Sequence, residues 1–142
     1  MKVRDIMTQH VIRIGAREPA EVAARTLTHY NIGALPVCGD DGRLCGVVTD
    51  RDLVTRCMAG GKAADRMKVQ DVMTARVISV APDMEASVAA HLMGTEQVRR
   101  LPVVENGKLC GIVSLADLAA TENGSLDAAD ALMDITKNIC KK

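Results

Sequence analysis

The chain has 142 residues, 48% of them apolar but only 1% aromatic, with one Tyr and no Phe or Trp, and its 18 Lys and Arg balance 18 Asp and Glu. A chain of this length buries a core without metal or disulfide staples. The composition offers no aromatic platform for unpaired bases, no aromatic cage for a quaternary amine and no basic excess for a phosphate backbone, so nucleic acid is not an expected partner.

In chain order, the opening MKVRDIMTQH places charges within its first five residues and lacks the apolar centre of a secretory signal. No stretch approaches the roughly 18 apolar residues of a membrane span, so a soluble, cytoplasmic protein without a membrane partner is expected. Residues 3–7 form a short helical lead, and the β-branched run 11–14 reads as a strand. Ala20, Ala23, Ala24 and Leu27 recur at helical spacing. Two strands, 35–38 and 44–48, follow around Gly39-Asp40-Asp41-Gly42, whose residues supply hairpin turn chemistry. A further helix starts at Thr49, and Gly60-Gly61-Lys62 opens a linker.

The same order then recurs. A shift of 66 places residues 3–37 on 69–103 with 13 identities in 35 positions, and after a one-residue deletion in the turn, residues 42–53 lie on 107–118 with 7 in 12. Unrelated segments match at roughly one position in sixteen, so the chain is an internal duplication. In the second copy the lead is 69–73, the first strand 77–80, the helix face Val88, Ala89, Leu92 and Met93, the turn Glu105-Asn106-Gly107, and the last helix starts at Ser114. The fold class is α/β (α+β): two β-α-β-β-α repeats, 1–62 and 63–123, packed about a pseudo-two-fold axis because neither sheet can be covered alone.

Five cysteines (Cys38, Cys45, Cys57, Cys110, Cys140) form no CxxC pair and read as reduced structural thiols. His10, His29 and His91 stand apart, with no HExxH, GxSxG, GxGxxG or P-loop spacing. Asp40-Asp41 reads as a turn and Asp50 with Asp52 as a helix start, so neither a catalytic residue nor a metal ligand is assigned.

Two constellations carry chemistry. Thr49-Asp-Arg51-Asp52 and Ser114-Leu-Ala116-Asp117 both fit [ST]-x-x-D at a strand-to-helix junction. One reading is a capping box, in which the hydroxyl accepts from a helix N–H and the acid occupies the first turn. The other is ligand binding: a hydroxyl and a carboxylate hydrogen-bond vicinal sugar hydroxyls, and nearby arginines favour phosphate. The two coexist, because a hydroxyl can accept from the backbone and still donate its hydrogen. The second constellation is Val98-Arg99-Arg100-Leu101-Pro102, against Ile32-Gly33-Ala34-Leu35-Pro36. A proline early in a strand limits pairing and frees backbone groups for a ligand edge. The two arginines read either as solvated surface charges or as phosphate ligands.

The phrases DIMT, GALPVC, GRLCGVVTDRDL, DVMT, VRRLPVV and GKLCGIVSLADL, in this order, closely resemble a tandem pair of CBS domains, named after cystathionine β-synthase, over roughly residues 3–121. The resemblance implies a stand-alone, bacterial-type regulatory module that binds AMP, ADP, ATP, NAD or S-adenosylmethionine between the repeats and forms a homodimer. Carried over by position, it implies one site with Ser114 and Asp117 at the ribose, Thr8, Ile12, Ile32 and Gly33 at the base, and Arg100 near phosphate. The other has Thr49 and Asp52 at the ribose, with Thr74, Ile78, Val98 and Arg99 opposite, and Arg51 as a phosphate candidate. Ala34, Pro36, Pro102 and Ile112 complete the implied lining. Because Arg99-Arg100 replaces Gly33-Ala34 and Ala116 replaces Arg51, the two sites are expected to differ in affinity or ligand charge. Alternatives are a ligand-free structural module and, with less support, a nucleotide-hydrolysing enzyme. No effector domain is expected in what remains of the chain, so output is expected through a separate protein.

Residues 124–142 form a C-terminal helix with Ser125 as N-cap and Lys137, Lys141 and Lys142 at its end. Leu126, Ala129, Met133 and Thr136 share one face, with Leu132 and Ile139 adjacent. This face is read as packing back on the module or meeting a second copy.

Overall fold

Two prolines determine how far the strands pair. In the computed structural model, which describes residues 1–121 and 124–140, the first strand shrinks to β1 (Ile14–Gly15), parallel to the end of β2 (Ala34–Cys38) with Ile14 opposite Val37. Extending that ladder to Ile12 would need an N–H from Pro36, which has none. In the second copy only Val80 pairs: its N–H donates to the Pro102 carbonyl and its carbonyl accepts from Val104. Continuation to Ile78 would likewise need a donor from Pro102. The expected strands 11–14 and 77–80 are thus cut short by the same residue type in both copies.

Backbone contacts divide the chain into two units that do not coincide with the sequence repeats. The first comprises Met1–Val11, Ile78–Asn106 and the chain from Cys110 onward; the second comprises Ile12–Val77 and Gly107–Leu109. Each unit takes its lead segment from the other copy.

In the second unit, β2 pairs antiparallel with β3 (Leu44–Thr49), and the three-stranded sheet is ordered β1-β2-β3. Helix α1 (Ala20–Tyr30) buries Ala20, Ala23 and Leu27 against it and ends at Asn31 in the left-handed region, a conformation Asn tolerates. After β3 the chain makes one turn of α2 (Asp50–Asp52) and continues as a π-helical stretch, Leu53–Met58, in which Ala59 N–H donates to Val54 O at 2.8 Å. The lead helix α3 (Val69–Val72) buries Val69 and Val72, and its C-terminal carbonyls are capped by Arg56, whose Nη1 lies 3.3 Å from Val72 O and 2.7 Å from Met73 O.

In the first unit, the 3₁₀ turn Val3–Asp5 buries Val3 under the sheet of β4 (Arg100–Glu105) and β5 (Lys108–Ser114). Asn106 and Gly107 (φ 54° and 80°) give the two-residue hairpin the left-handed pair a type I′ turn requires. Helix α4 (Ala86–Glu96) buries Ala86, Ala89, Ala90 and Met93. Val88, expected on that face, is 51% exposed: Ala90 and Gly94 are buried instead, Gly94 against Ala131 and Asp134 of a further helix. That helix, α6 (Ser125–Cys140), packs on α4 and on α5 (Leu115–Ala119).

The packing of α6 corrects the sequence reading. It does pack back on its own unit, but through Ala128, Ala131 and Ile135; Leu126 and Met133 on the expected face are 79% and 67% exposed. Small alanines let the helix approach Gly94 closely, which the bulkier Leu and Met face would prevent. Ser125 is the first helical residue. Lys141 and Lys142, and the side chains of Ile139 and Cys140, lie outside the described residues.

Candidate functional site

Each unit builds the same corner from the same local rules. In the first, β5 ends at Ser114 and α5 begins; Ser114 N–H donates to Asp117 Oδ2 at 2.8 Å, and Asp117 N–H donates to Ser114 Oγ at 3.1 Å. In the second, β3 ends at Thr49, and Thr49 and Asp52 exchange the same two bonds at 3.0 Å each. Both are capping boxes, satisfying helix-end donors reciprocally. The start of each preceding central strand is tied to the corner by one backbone bond: Leu115 N–H to Arg99 O at 2.8 Å, and Asp50 N–H to Gly33 O at 3.1 Å.

On the opposite strand edge, the lead segment adds one bridged residue. Thr8 exchanges two backbone hydrogen bonds with Ile112 (2.8 and 2.9 Å), and Thr74 does so with Val47 (3.0 and 2.9 Å). Gly111 and Gly46 make this approach possible. A Cβ on Gly111 would sit 2.7 Å from Met7 Sδ and 3.0 Å from Thr8 O; one on Gly46 would sit 2.6 Å from Met73 Sδ and 2.8 Å from Thr74 O.

The units divide the sequence-singled residues as follows. Thr8, Ile78, Val98, Arg99, Arg100, Pro102, Ile112, Ser114 and Asp117 belong to the first, and Ile12, Ile32, Gly33, Ala34, Pro36, Thr49, Arg51, Asp52 and Thr74 to the second. Arg99, Arg100 and Ser114 line one groove of about 540 Å³, together with Leu115, Ala116, Ala119 and the α6 residues Ser125, Ala128, Ala129 and Leu132. The arginines had been divided between two sites on the sequence; here they share a groove. The contribution of α6 was missed, because a segment outside the repeat has no counterpart to align with. The second unit has an apolar groove of about 470 Å³ that includes Asp50, Leu53, Val54 and Met58 but neither Thr49 nor Arg51.

The corners differ electrostatically. Asp52 is buried, and its Oδ1 lies 3.9 Å from Arg56 Nε. Asp117 has no ion pair among the described residues, and the position matching Arg56 is Thr121, whose hydroxyl bonds Leu118 O. Arg99 and Arg100 are exposed and likewise have no ion pair among the described residues. Where the first unit carries these guanidinium groups and Leu115, the second has Gly33, Ala34 and the carboxylate of Asp50. The first corner therefore combines a carboxylate that bonds Ser114 N–H through Oδ2 with two arginines that have no ion pair among the described residues.

No group of three or more His, Cys, Asp or Glu side chains comes together among the described residues, and no helix there is long and apolar enough to cross a membrane. His29 and His91 lie on α1 and α4, as their sequence context indicated.

A duplicated β-α-β-β-α order with paired [ST]-x-x-D corners defines a class, and comparison gives its family: the CBS domain model matches residues 3–59 and 69–123, and the chain belongs to that family. It is 40% identical over 137 residues to the uncharacterized protein YlbB of Bacillus subtilis, covering 96% of this chain and 92% of that protein. It is 37% identical to Hypoxic response protein 1 of Mycobacterium tuberculosis, covering 82% and 81% of the two chains. A crystal structure of Hypoxic Response Protein I with two coordinated zinc ions superposes with a TM-score of 0.76 at 36% identity, covering 84% of this chain and 97% of that one. The CBS domain pair of protein MJ0100, in complex with 5-methylthioadenosine and S-adenosyl-L-methionine, matches with a TM-score of 0.70 at 27% identity, over 84% of this chain and 93% of that one. CBS pairs are regulatory modules, and this chain carries such a pair.

Proposed function

We propose that the protein is a non-catalytic sensor that binds a phosphorylated adenine compound such as AMP, ADP, ATP or NAD, with the corner of the first unit as the tighter site. The single observation carrying this is that the Ser114 hydroxyl, Arg99 and Arg100 line one groove, the two arginines having no ion pair among the described residues, while Asp117, bonded to Ser114 N–H through Oδ2, follows the lining residue Ala116 in the chain. Its volume falls within the roughly 300–1,000 Å³ of small-molecule sites. The binding of adenosine-type ligands by the MJ0100 pair supports the adenosine part of the reading; the arginines extend it to phosphate.

Capping and binding do not compete. Ser114 Oγ accepts from Asp117 N–H and keeps its own hydrogen to donate, while Asp117 spends one oxygen on the cap and keeps the other. The Thr49 and Asp52 corner provides the weaker second site, because Arg56 faces Asp52 and the carboxylate of Asp50 stands near Gly33. Binding without turnover makes the chain a reporter, and its output passes to a separate protein or through a homodimer by a ligand's different affinity for two conformations.

The test is thermal unfolding with 1 mM AMP, ADP, ATP, NAD, S-adenosylmethionine and, as a control, GMP. A ligand at a hundred times its dissociation constant adds about 2.7 kcal/mol, on the order of 10 °C for a chain of this size. At least one phosphorylated adenine compound raises the midpoint and GMP does not. No shift with any adenine compound points instead to a ligand-free scaffold, and loss of phosphate from ATP in the presence of Mg²⁺ would reveal an enzyme.

A further inference from the structure

Among the described residues, only one unit carries a helix beyond the repeat, and that helix walls the groove holding both arginines. Helix α6 is held through Ala128, Ala131 and Ile135, by close approach to Gly94, and by Gln97 Nε2 donating to Asp134 O at 3.1 Å. Its Ser125, Ala128, Ala129 and Leu132 face Ala116 and Ala119 of α5 across the groove, with Arg99, Arg100 and Ser114 on the lining. The interior is therefore largely apolar and flanked by cations. A ligand that fits it has a flat or apolar body and an anionic group, which is the chemistry of a phosphorylated nucleoside.

The second unit shows that the repeat alone does not impose this arrangement. Its matching corner lacks the arginines and has no following helix of this kind. Helix and arginine pair thus occur together, in the same unit.

We propose that α6 is part of the ligand site: a phosphorylated adenosine ligand held at the Ser114 and Asp117 corner touches Ala129 and Leu132, so ligand occupancy and the seating of α6 stabilise one another. This rests on the nucleotide reading above and adds a regulated element to it. The coupling is reciprocal: whatever fraction of binding free energy derives from α6, occupancy returns to its seating. Leu126 and Met133 face away from the unit, so the bound ligand fixes an exposed apolar stripe in place, and ligand state becomes readable at the surface.

The experiment combines hydrogen–deuterium exchange with titration, using ATP as the probe. In the wild type, 1 mM ATP slows exchange at least threefold in peptides spanning residues 125–137. Ala129→Glu sets a carboxylate in the groove near the arginines and weakens ATP at least tenfold; Ala129→Leu fills the same space without charge and weakens it at least threefold. Position 129 is exposed, so both variants melt within about 2 °C of wild type. Leu126→Ala, on the outward face, leaves ATP affinity unchanged. ATP binding at wild-type affinity to both Ala129 variants, with exchange in 125–137 unaltered, would overturn the role of α6 while leaving the nucleotide reading intact. Failure of ATP, ADP, AMP and NAD alike to bind the wild type removes both.

Discussion

Asp117 and Asp52 illustrate how identical motif residues acquire different capacities from one neighbour. Both close a capping box with a backbone N–H, and both would lose that bond on truncation, at about 1 kcal/mol each. What separates them is Arg56, 3.9 Å from Asp52, against Thr121 in the matching position. The cysteines differ from these corners in having no charge to offer. Burial pushes the thiols of Cys38, Cys45 and Cys110 above their usual value. Cys45 Sγ and Cys110 Sγ each donate to a strand carbonyl at 3.3 Å, Val37 O and Val103 O, the same bond in both copies. Because the folded state holds these protons more tightly than the unfolded chain does, their contribution to stability is complete below the ordinary thiol range near 8.5 and is lost as pH rises through the raised values. Iodoacetamide at pH 8 should therefore modify the peptides carrying these three cysteines at least tenfold more slowly in native protein than in denaturant, as read by peptide mass spectrometry; equal rates would contradict the burial account.

Among the elements, the two lead segments depend on a glycine in the strand beneath them. Gly111→Ala forces a Cβ to within 2.7 Å of Met7 Sδ and 3.0 Å of Thr8 O, and overpacking of this kind costs about 1–3 kcal/mol. Denaturant titration should show that loss for Gly111→Ala and a similar one for Gly46→Ala, whereas Gly42→Asn, in an open turn with φ 82°, should cost little. An unchanged midpoint in Gly111→Ala would mean that the lead segment does not rest on the strand. Much of this level was legible in the sequence: helix positions, the hairpins, both caps and the duplication follow from periodicity, turn residues and identity at a fixed shift. Strand lengths were not read correctly, although their determinant was visible, since Pro36 and Pro102 remove the donor that β1 and Val80 would need to pair further back. Which copy's sheet a lead segment joins was not legible, because two similar strands, ending in Thr49 and Ser114, offer the same edge. The face of α6 that packs on its own unit was not legible for a related reason: apolar size favoured Leu126 and Met133, while close packing on Gly94 selects alanines.

For the whole molecule, a formal charge of zero conceals an uneven distribution. Arg99 and Arg100 stand without acid partners among the described residues on the groove of one unit, while the matching corner of the other carries Asp50. This distribution supports the proposed binding of a single phosphorylated ligand over that of a long polyanion. Near-absence of aromatic residues fits the same picture, since both cores close with Val, Leu, Ala and Met around short sheets. The duplication thus supplies two similar corners, and their divergence at a few positions is the basis for the proposal that the Ser114 and Asp117 corner is the tighter site. Calorimetric titration of AMP and ATP into wild type, Asp117→Ala and Asp52→Ala tests this most directly, because each variant loses the same kind of cap and the two differ in the corner they alter. The account predicts that Asp117→Ala abolishes or weakens the tighter binding event at least tenfold while Asp52→Ala retains it within about threefold; equal affinities in both variants, unchanged from wild type, would contradict it.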